Sequence, residues 1–251
     1  MVMGDIHGAY KALRQCMDRS GFDYENDTLI QLGDVTDGFS EVFECVEELL
    51  KISRLIPLKG NHDDWLLDFI HSGYASWSHG GRATIQSYAK HLDREIKILS
   101  TGNGICKTSL NPNDIPLHHR NFFCSQQLFY IDEANNCFVH AGFNRQLSFL
   151  GQRPQTYYWD RELWLEALQY HTLNHREPQP EPFYIRDTFH EIYIGHTPTT
   201  KWGTDKPMRA VNVLNMDTGA GHHGRLTILD IGTKEYWQSD LVTELYGKAG
   251  R

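Results

Sequence analysis

Three times in its first 64 residues the chain passes from a short β-rich run into a glycine-led polar cluster: GDIHG at 4–8, GDVTDG at 33–38 and GNHDD at 60–64. The runs before them, Val2-Met3, Thr28–Leu32 and Leu55–Leu58, read as strands. Between them Leu13, Cys16 and Met17 share one helical face, and Val42, Val46, Leu49 and Leu50 mark a second helix at i, i+4, i+7, i+8 spacing. Strand and helix therefore alternate as βαβ units with parallel strands. In an open parallel sheet, ligands bind beyond the carboxyl ends of the strands. That topology would deliver Asp5, His7, Asp34, Asp37, Asn61 and His62 to one edge.

Residues 64–135 are less regular, with helical stretches near Trp65–Ile70 and Ala83–Lys90 and then a polar segment carrying Asn111-Pro112 and Pro116. No Pro- or Ser-rich linker sets them apart, so they read as a helical insertion within one domain spanning 1–251. Strands are expected at Leu128–Ile131, Cys137–Val139, Glu191–Ile194, Val211–Leu214, Leu226–Leu229 and Glu235–Trp237. A helix at Arg161–Leu173 and a loop, REPQPEP, at 176–182 separate them. Two of these strands also end in histidine: FVHAG gives His140 and YIGHTP gives His196.

Two Asp, one Asn and three His at five strand ends form a mixed oxygen and nitrogen donor set. It suits first-row divalent metals better than calcium, magnesium alone or thiolate-seeking ions. Two such ions held ~3.5–4 Å apart need a bridging carboxylate, and Asp34, between the other strand ends, is the natural bridge. Composition narrows the partners. With 24 Lys and Arg against 32 Asp and Glu, the net charge of -8 disfavours sequence-independent nucleic-acid binding. No apolar run approaches the ~20 residues of a membrane helix. The opening MVMGDIHGAY lacks the pattern of a signal peptide, so a cytoplasmic location is expected. The five cysteines are odd in number and form no C-x-x-C pair, and they read as reduced core thiols.

GDIHG, GDVTDG, GNHD, HAG and GHTP, in this order from residue 4 to 198, resemble the phosphoprotein-phosphatase branch of the calcineurin-like metallophosphoesterases. Within it, the chain looks most like the bacterial and phage enzymes related to lambda phosphatase and to symmetrical diadenosine tetraphosphatase. The resemblance implies an α/β fold with a central β-sandwich of mixed sheets flanked by helices, in four αββα layers. It also implies two divalent ions; which metal they are is decided by cellular supply, with manganese the working expectation and iron and zinc the alternatives. Asp5 and His7 would bind one, Asn61, His140 and His196 the other, and Asp34 would bridge. His62 would be the general acid, oriented by Asp37, and Asn61 would also face the phosphate. An imidazolium held by a carboxylate can protonate a leaving alkoxide near neutral pH. One departure matters: the family usually has Arg after the second Asp of its second motif, and here Gly38-Phe39 follows Asp37. Arg161, in YYWDRELW, resembles the W-x-R segment whose arginine contacts phosphate; Arg82 and Arg153 are further candidates.

Blander roles compete. Arg161 could pair with Glu162 or Glu166 on its helix. His118-His119 and His222-His223 read as surface pairs, because neighbours on a strand point to opposite faces. Asp217 reads as a turn residue or as a hydrogen-bond partner of a ligand histidine. Trp65, Trp77, Tyr88, Trp159 and Trp164 read as core or groove-wall aromatics. The expected function is a phosphomonoester hydrolase acting on phosphoserine and phosphothreonine in proteins. The alternatives are a nucleotide hydrolase and a metal-binding pseudophosphatase without turnover.

Overall fold

The computed structural model describes residues 1–74, 77–100, 106–173, 182–247 and 250. The first half alternates as expected: β1 (Val2–Met3), α1 (Tyr10–Ser20), β2 (Thr28–Gln31), α2 (Val42–Leu49) and β3 (Arg54–Pro57). Then come α3 (Asn61–Ser72), α4 (Gly81–Ala89), the antiparallel strands β4 (Ile98–Ser100) and β5 (Cys106–Thr108), and α5 (Leu117–Ser125). The second half holds β6 (Phe129–Ile131), β7 (Cys137–Val139), α6 (Pro154–Trp159), α7 (Glu162–Leu173), β8 (Ile192–Ile194), β9 (Met208–Ala210) and β10 (Val213–Asn215). It ends with β11 (Thr227–Leu229), β12 (Tyr236–Gln238) and α8 (Val242–Tyr246). The REPQPEP loop lies, but for Pro182, outside the described residues.

Ten of the strands build two mixed sheets, ordered β12-β11-β1-β2-β3 and β6-β7-β8-β10-β9. β1, β2 and β3 are parallel, and so are β7, β8 and β10. β1 is short yet central, with β11 antiparallel on its other side. Successive side chains on a strand face opposite ways, and here both faces are apolar. Val2, Ile30 and Leu229 from one sheet meet Phe138, Tyr193 and Leu214 from the other. Their neighbours Met3, Leu29 and Ile228 turn outward to the core under α1 and α2. Cys137, Val139, Ile192, Ile194 and Val213 turn to the helical layer of α6 and α7, where Tyr157, Leu163 and Trp164 are buried. Strict alternation with two apolar faces forces helix, sheet, sheet, helix, the expected four layers.

Several elements depart from the sequence reading. α3 starts at Asn61 rather than Trp65, because Gly60 is extended at the N-cap and Asp63, at N3, accepts its N–H at 3.2 Å. The segment holding Pro116 becomes α5, whose Phe122 and Phe123 are buried, and β9 and α6 are additional. Cys16, Cys45, Cys106 and Cys137 are buried thiols as expected, while Cys124 is exposed. Among the described residues no helix is long and apolar enough to cross a membrane.

Candidate active site

The loops that leave β1, β2, β7 and β8, together with the first turn of α3, converge at one end of the sandwich. Asp5, His7, Asp34, Asn61, His140 and His196 are all buried there. Their donor atoms form two clusters that share one residue: Asp5, His7 and Asp34, and Asp34, His140 and His196. Asp34 Oδ2 is 3.6 Å from His7 Nε2 and 3.5 Å from His140 Nε2. Asp5 Oδ2 is 3.9 Å from His7 Nε2. Asn61 turns its Oδ1 into the second cluster, 3.3 Å from His140 Nε2 and 2.9 Å from His196 Nδ1.

Two features make this a set of cation donors. His7 Nδ1 lies 2.9 Å from the Thr36 carbonyl and His140 Nδ1 lies 2.7 Å from that of Leu32. A carbonyl only accepts, so both Nδ1 atoms carry hydrogen, and Nε2, the nitrogen that faces Asp34, is the one that can offer a lone pair to a cation. The backbone, moreover, is cut away around the carboxylates. A Cβ at Gly60 would stand 2.1 Å from Asp34 Oδ1, and one at Gly195 would stand 2.1 Å from Asp5 Oδ1. Burying two carboxylates in one nest is costly unless positive charge offsets them. The donors fit a pair of divalent ions.

Holding these loops requires strain. His7, Asp34, Asp37 and His196 have φ of 51°, 54°, 63° and 67°, the left-handed region that side chains other than glycine seldom occupy. Hydrogen bonds brace them. Asp34 Oδ1 accepts the His62 N–H at 2.9 Å, which places its charge at the N-terminus of α3. His196 N–H donates to Asp5 at 3.1 Å. Asp63, which the motif reading passed over, accepts Val35 N and Thr36 N on one oxygen and Gly60 N and Gln126 Nε2 on the other. It ties two motif loops to the end of α5. Burial, and after it the charge of Asp34, push the Asp63 carboxyl up to about 6.

His62 stands beside the clusters, its ring 5.1 Å from that of His7 and edge-on to it. Its Nδ1 is 2.8 Å from Asp37 Oδ2. Sequence reasoning missed the next link. Thr84, fully buried on α4, donates its hydroxyl to Asp37 Oδ1 at 2.6 Å and accepts the Asp37 N–H at 3.0 Å. Its only trace in the sequence is a polar residue on the face that α4 buries with Ile85 and Tyr88. Thr84→Val keeps the shape and removes the donor. A hydrogen bond to a charged group contributes ~1.5–3 kcal/mol, so kcat should fall about 10- to 100-fold with KM little changed. Thr84→Ser should restore most of it. Steady-state kinetics on the three proteins checks this positioning role.

Of the three arginines considered, the fold brings one to the site. Arg161, just before α7, lines a cavity of about 270 Å³ with His79, His196, Pro198, Lys201 and His222. Its proposed competitor Glu166 pairs instead with Arg145. Arg82 and Arg153 are exposed and line no part of that cavity, since Arg82 is on the outer face of α4 and Arg153 caps α6. The histidine pairs need correction too. His222 is half-buried in the cavity wall rather than on the open surface. His119 is fully buried, because it lies on the helix α5 and not on a strand. Asp217 accepts the Gly219 N–H at 3.0 Å, the turn contact of its two readings. Trp77, Tyr88 and Trp164 are core, whereas Trp65 and the exposed Trp159, 5.6 Å apart between centroids, wall the site beside His62 and His196.

A serine/threonine-protein phosphatase 1 of Salmonella typhimurium is 25% identical over 238 residues, 92% of this chain and 90% of that protein. A bis(5'-nucleosyl)-tetraphosphatase PrpE (asymmetrical) of Bacillus mycoides is 23% identical over 245 residues, 90% of this chain and 87% of its own. The crystal structure of a metallophosphoesterase from Sphaerobacter thermophilus superposes with a TM-score of 0.53 at 13% identity, covering 98% of this chain and 93% of that one, a likeness of fold. The family model for calcineurin-like phosphoesterases matches residues 1–201. The chain thus belongs to the calcineurin-like phosphoesterase family, whose members are metal-dependent hydrolases of phosphate esters.

Proposed function

We propose that the chain is a dinuclear metal-dependent phosphatase of phosphomonoesters, with phosphoserine and phosphothreonine in proteins as its substrate class. The observation that carries this reading is the chain His62–Asp37–Thr84 set beside two donor clusters that share Asp34. Asp5, His7 and Asp34 would hold one ion, and Asp34, Asn61, His140 and His196 the other. Manganese is the proposed occupant, with iron and zinc as alternatives that cellular supply decides. When bound, such ions lower the pKa of a shared water toward neutrality and polarise the phosphoryl oxygens. His62 gives a proton to the leaving oxygen while Asp37, fixed by Thr84, holds its Nδ1. Arg161 takes the place of the arginine absent after Asp37 and grips the phosphoryl group with its planar fork. The similarity to a serine/threonine phosphatase supports the substrate class. Five thiols that are not bonded to one another suit a reducing compartment, and we place the enzyme in the cytoplasm.

A second reading, nucleotide hydrolysis, draws on the similarity to a bis(5'-nucleosyl)-tetraphosphatase and on Trp65 and Trp159, which offer an aromatic wall on which a base can stack. A panel of phosphopeptides, mononucleotides and dinucleoside polyphosphates, assayed with Mn²⁺, separates the two. Phosphopeptides should show the highest kcat/KM, and Arg161→Ala should raise KM on them about tenfold. A preference for dinucleoside polyphosphates moves the assignment to the second reading. Inertness toward every ester with both ions bound leaves a pseudophosphatase.

A further inference from the structure

Away from the strand ends, α2 and α5 bring a second kind of donor set together. Glu47 Oε1 lies 2.7 Å from His118 Nε2 and 2.8 Å from His119 Nε2. The three residues place one ligand atom each within 4.8 Å of one another. Neighbours on a helix diverge by about 100°, and this pair converges because its members take different depths. His119 is buried, its ring 4.6 Å from that of Phe43, and His118 stays at the rim.

The surroundings prepare these atoms for a cation. Burial, the largest influence on it, disfavours the charged form of the His119 imidazole and holds it below its ordinary pKa. The Tyr88 hydroxyl, buried on α4, is 3.1 Å from His119 Nδ1. With Nε2–H donating to Glu47, Nδ1 accepts the Tyr88 hydroxyl; a cation at Nε2 would displace that proton and reverse the second bond, Nδ1–H then donating to the Tyr88 oxygen as in histidines that ligate metal through Nε2. Hydrogen bonding from His118 keeps the Glu47 carboxyl below its ordinary pKa, hence ionised. Two imidazoles and a carboxylate suit zinc and its first-row neighbours, and not calcium or magnesium, which take oxygen ligands. Tetrahedral bonds of about 2.0–2.2 Å set ligand atoms about 3.4 Å apart. The nitrogens must therefore withdraw from Glu47 by about 0.6 Å. The side chains of His118 and Glu47 can do this, being 55% and 42% exposed.

We propose that Glu47, His118 and His119 form a peripheral site for a zinc-class divalent ion that clasps α5 to α2. The clasp reaches the catalytic machinery through α4, which carries both Tyr88 and the Thr84 that holds Asp37. It stands independently of the phosphatase reading. The test is equilibrium dialysis of metal-free protein against Zn²⁺, with metal analysis of wild type, His118→Ala and Glu47→Gln. Both substitutions fall on partly exposed side chains, which the fold tolerates. Wild type should bind one equivalent more than either variant, a difference that is read whatever the strand-end clusters hold. Zn²⁺ should also raise the thermal midpoint of Asp34→Asn by more than that of Asp34→Asn combined with His118→Ala, the difference reporting the peripheral site alone. Equal zinc stoichiometry in wild type and both single variants overturns the proposal.

Discussion

Replacing Asp34 with asparagine should lower kcat/KM by more than the ~10²–10³-fold that one electrostatic donor supplies, and should cost the protein at least one bound divalent ion. A single oxygen of Asp34 faces His7 on one side and His140 on the other, so the substitution weakens both clusters at once. The asparagine is neutral, and in one of its two orientations it presents an NH₂ donor where the shared acceptor stood. The remaining oxygen can still accept the His62 N–H, and the side-chain volume is unchanged, so the strained loop at Asp34 has no steric reason to move. Metal analysis after dialysis against Mn²⁺, paired with rates on p-nitrophenyl phosphate, measures both effects, and far-UV circular dichroism serves as the fold control. Undiminished metal content with rates within tenfold of wild type would show that Asp34 is not the shared ligand.

What the sequence could reveal follows from the range of each signal. The strand ends were legible because glycine-led turns and period-two apolar runs are local patterns, and a parallel sheet then gathers Asp5, Asp34 and Asn61 at one edge with no further information. The start of α3 was not: Asn61, His62, Asp63 and Asp64 are polar, and their helix begins there only because Gly60 and Asp63 close the cap. α5 was hidden for another reason. LHHRNFFCS has no clear amphipathic period, and the helix owes its place to the burial of His119, Phe122 and Phe123 against other elements. Thr84 and Asp37 are 47 residues apart, and no spacing rule links them. The cavity wall is a similar case, since His79, Arg161, Lys201 and His222 come from four separate segments that only the completed fold assembles.

His62→Asn should separate proton donation from metal binding. The side chain lies outside both donor clusters, so the variant should keep its full complement of ions. Its defect should depend on the leaving group. With His62 Nδ1 engaged by Asp37, the proton for the departing oxygen comes from Nε2, on the opposite side of the ring. An alkoxide from a phosphoserine peptide is a poor leaving group and needs that proton, so kcat on it should drop about 10²–10⁴-fold, the range of general acid catalysis. Nitrophenolate departs without help, and on p-nitrophenyl phosphate the drop should be at least tenfold smaller. Asp37→Asn should show the same dependence more weakly, because the imidazole remains but loses the carboxylate that orients and charges it. An equal loss on both substrates would assign His62 to holding the phosphoryl group instead of protonating the product.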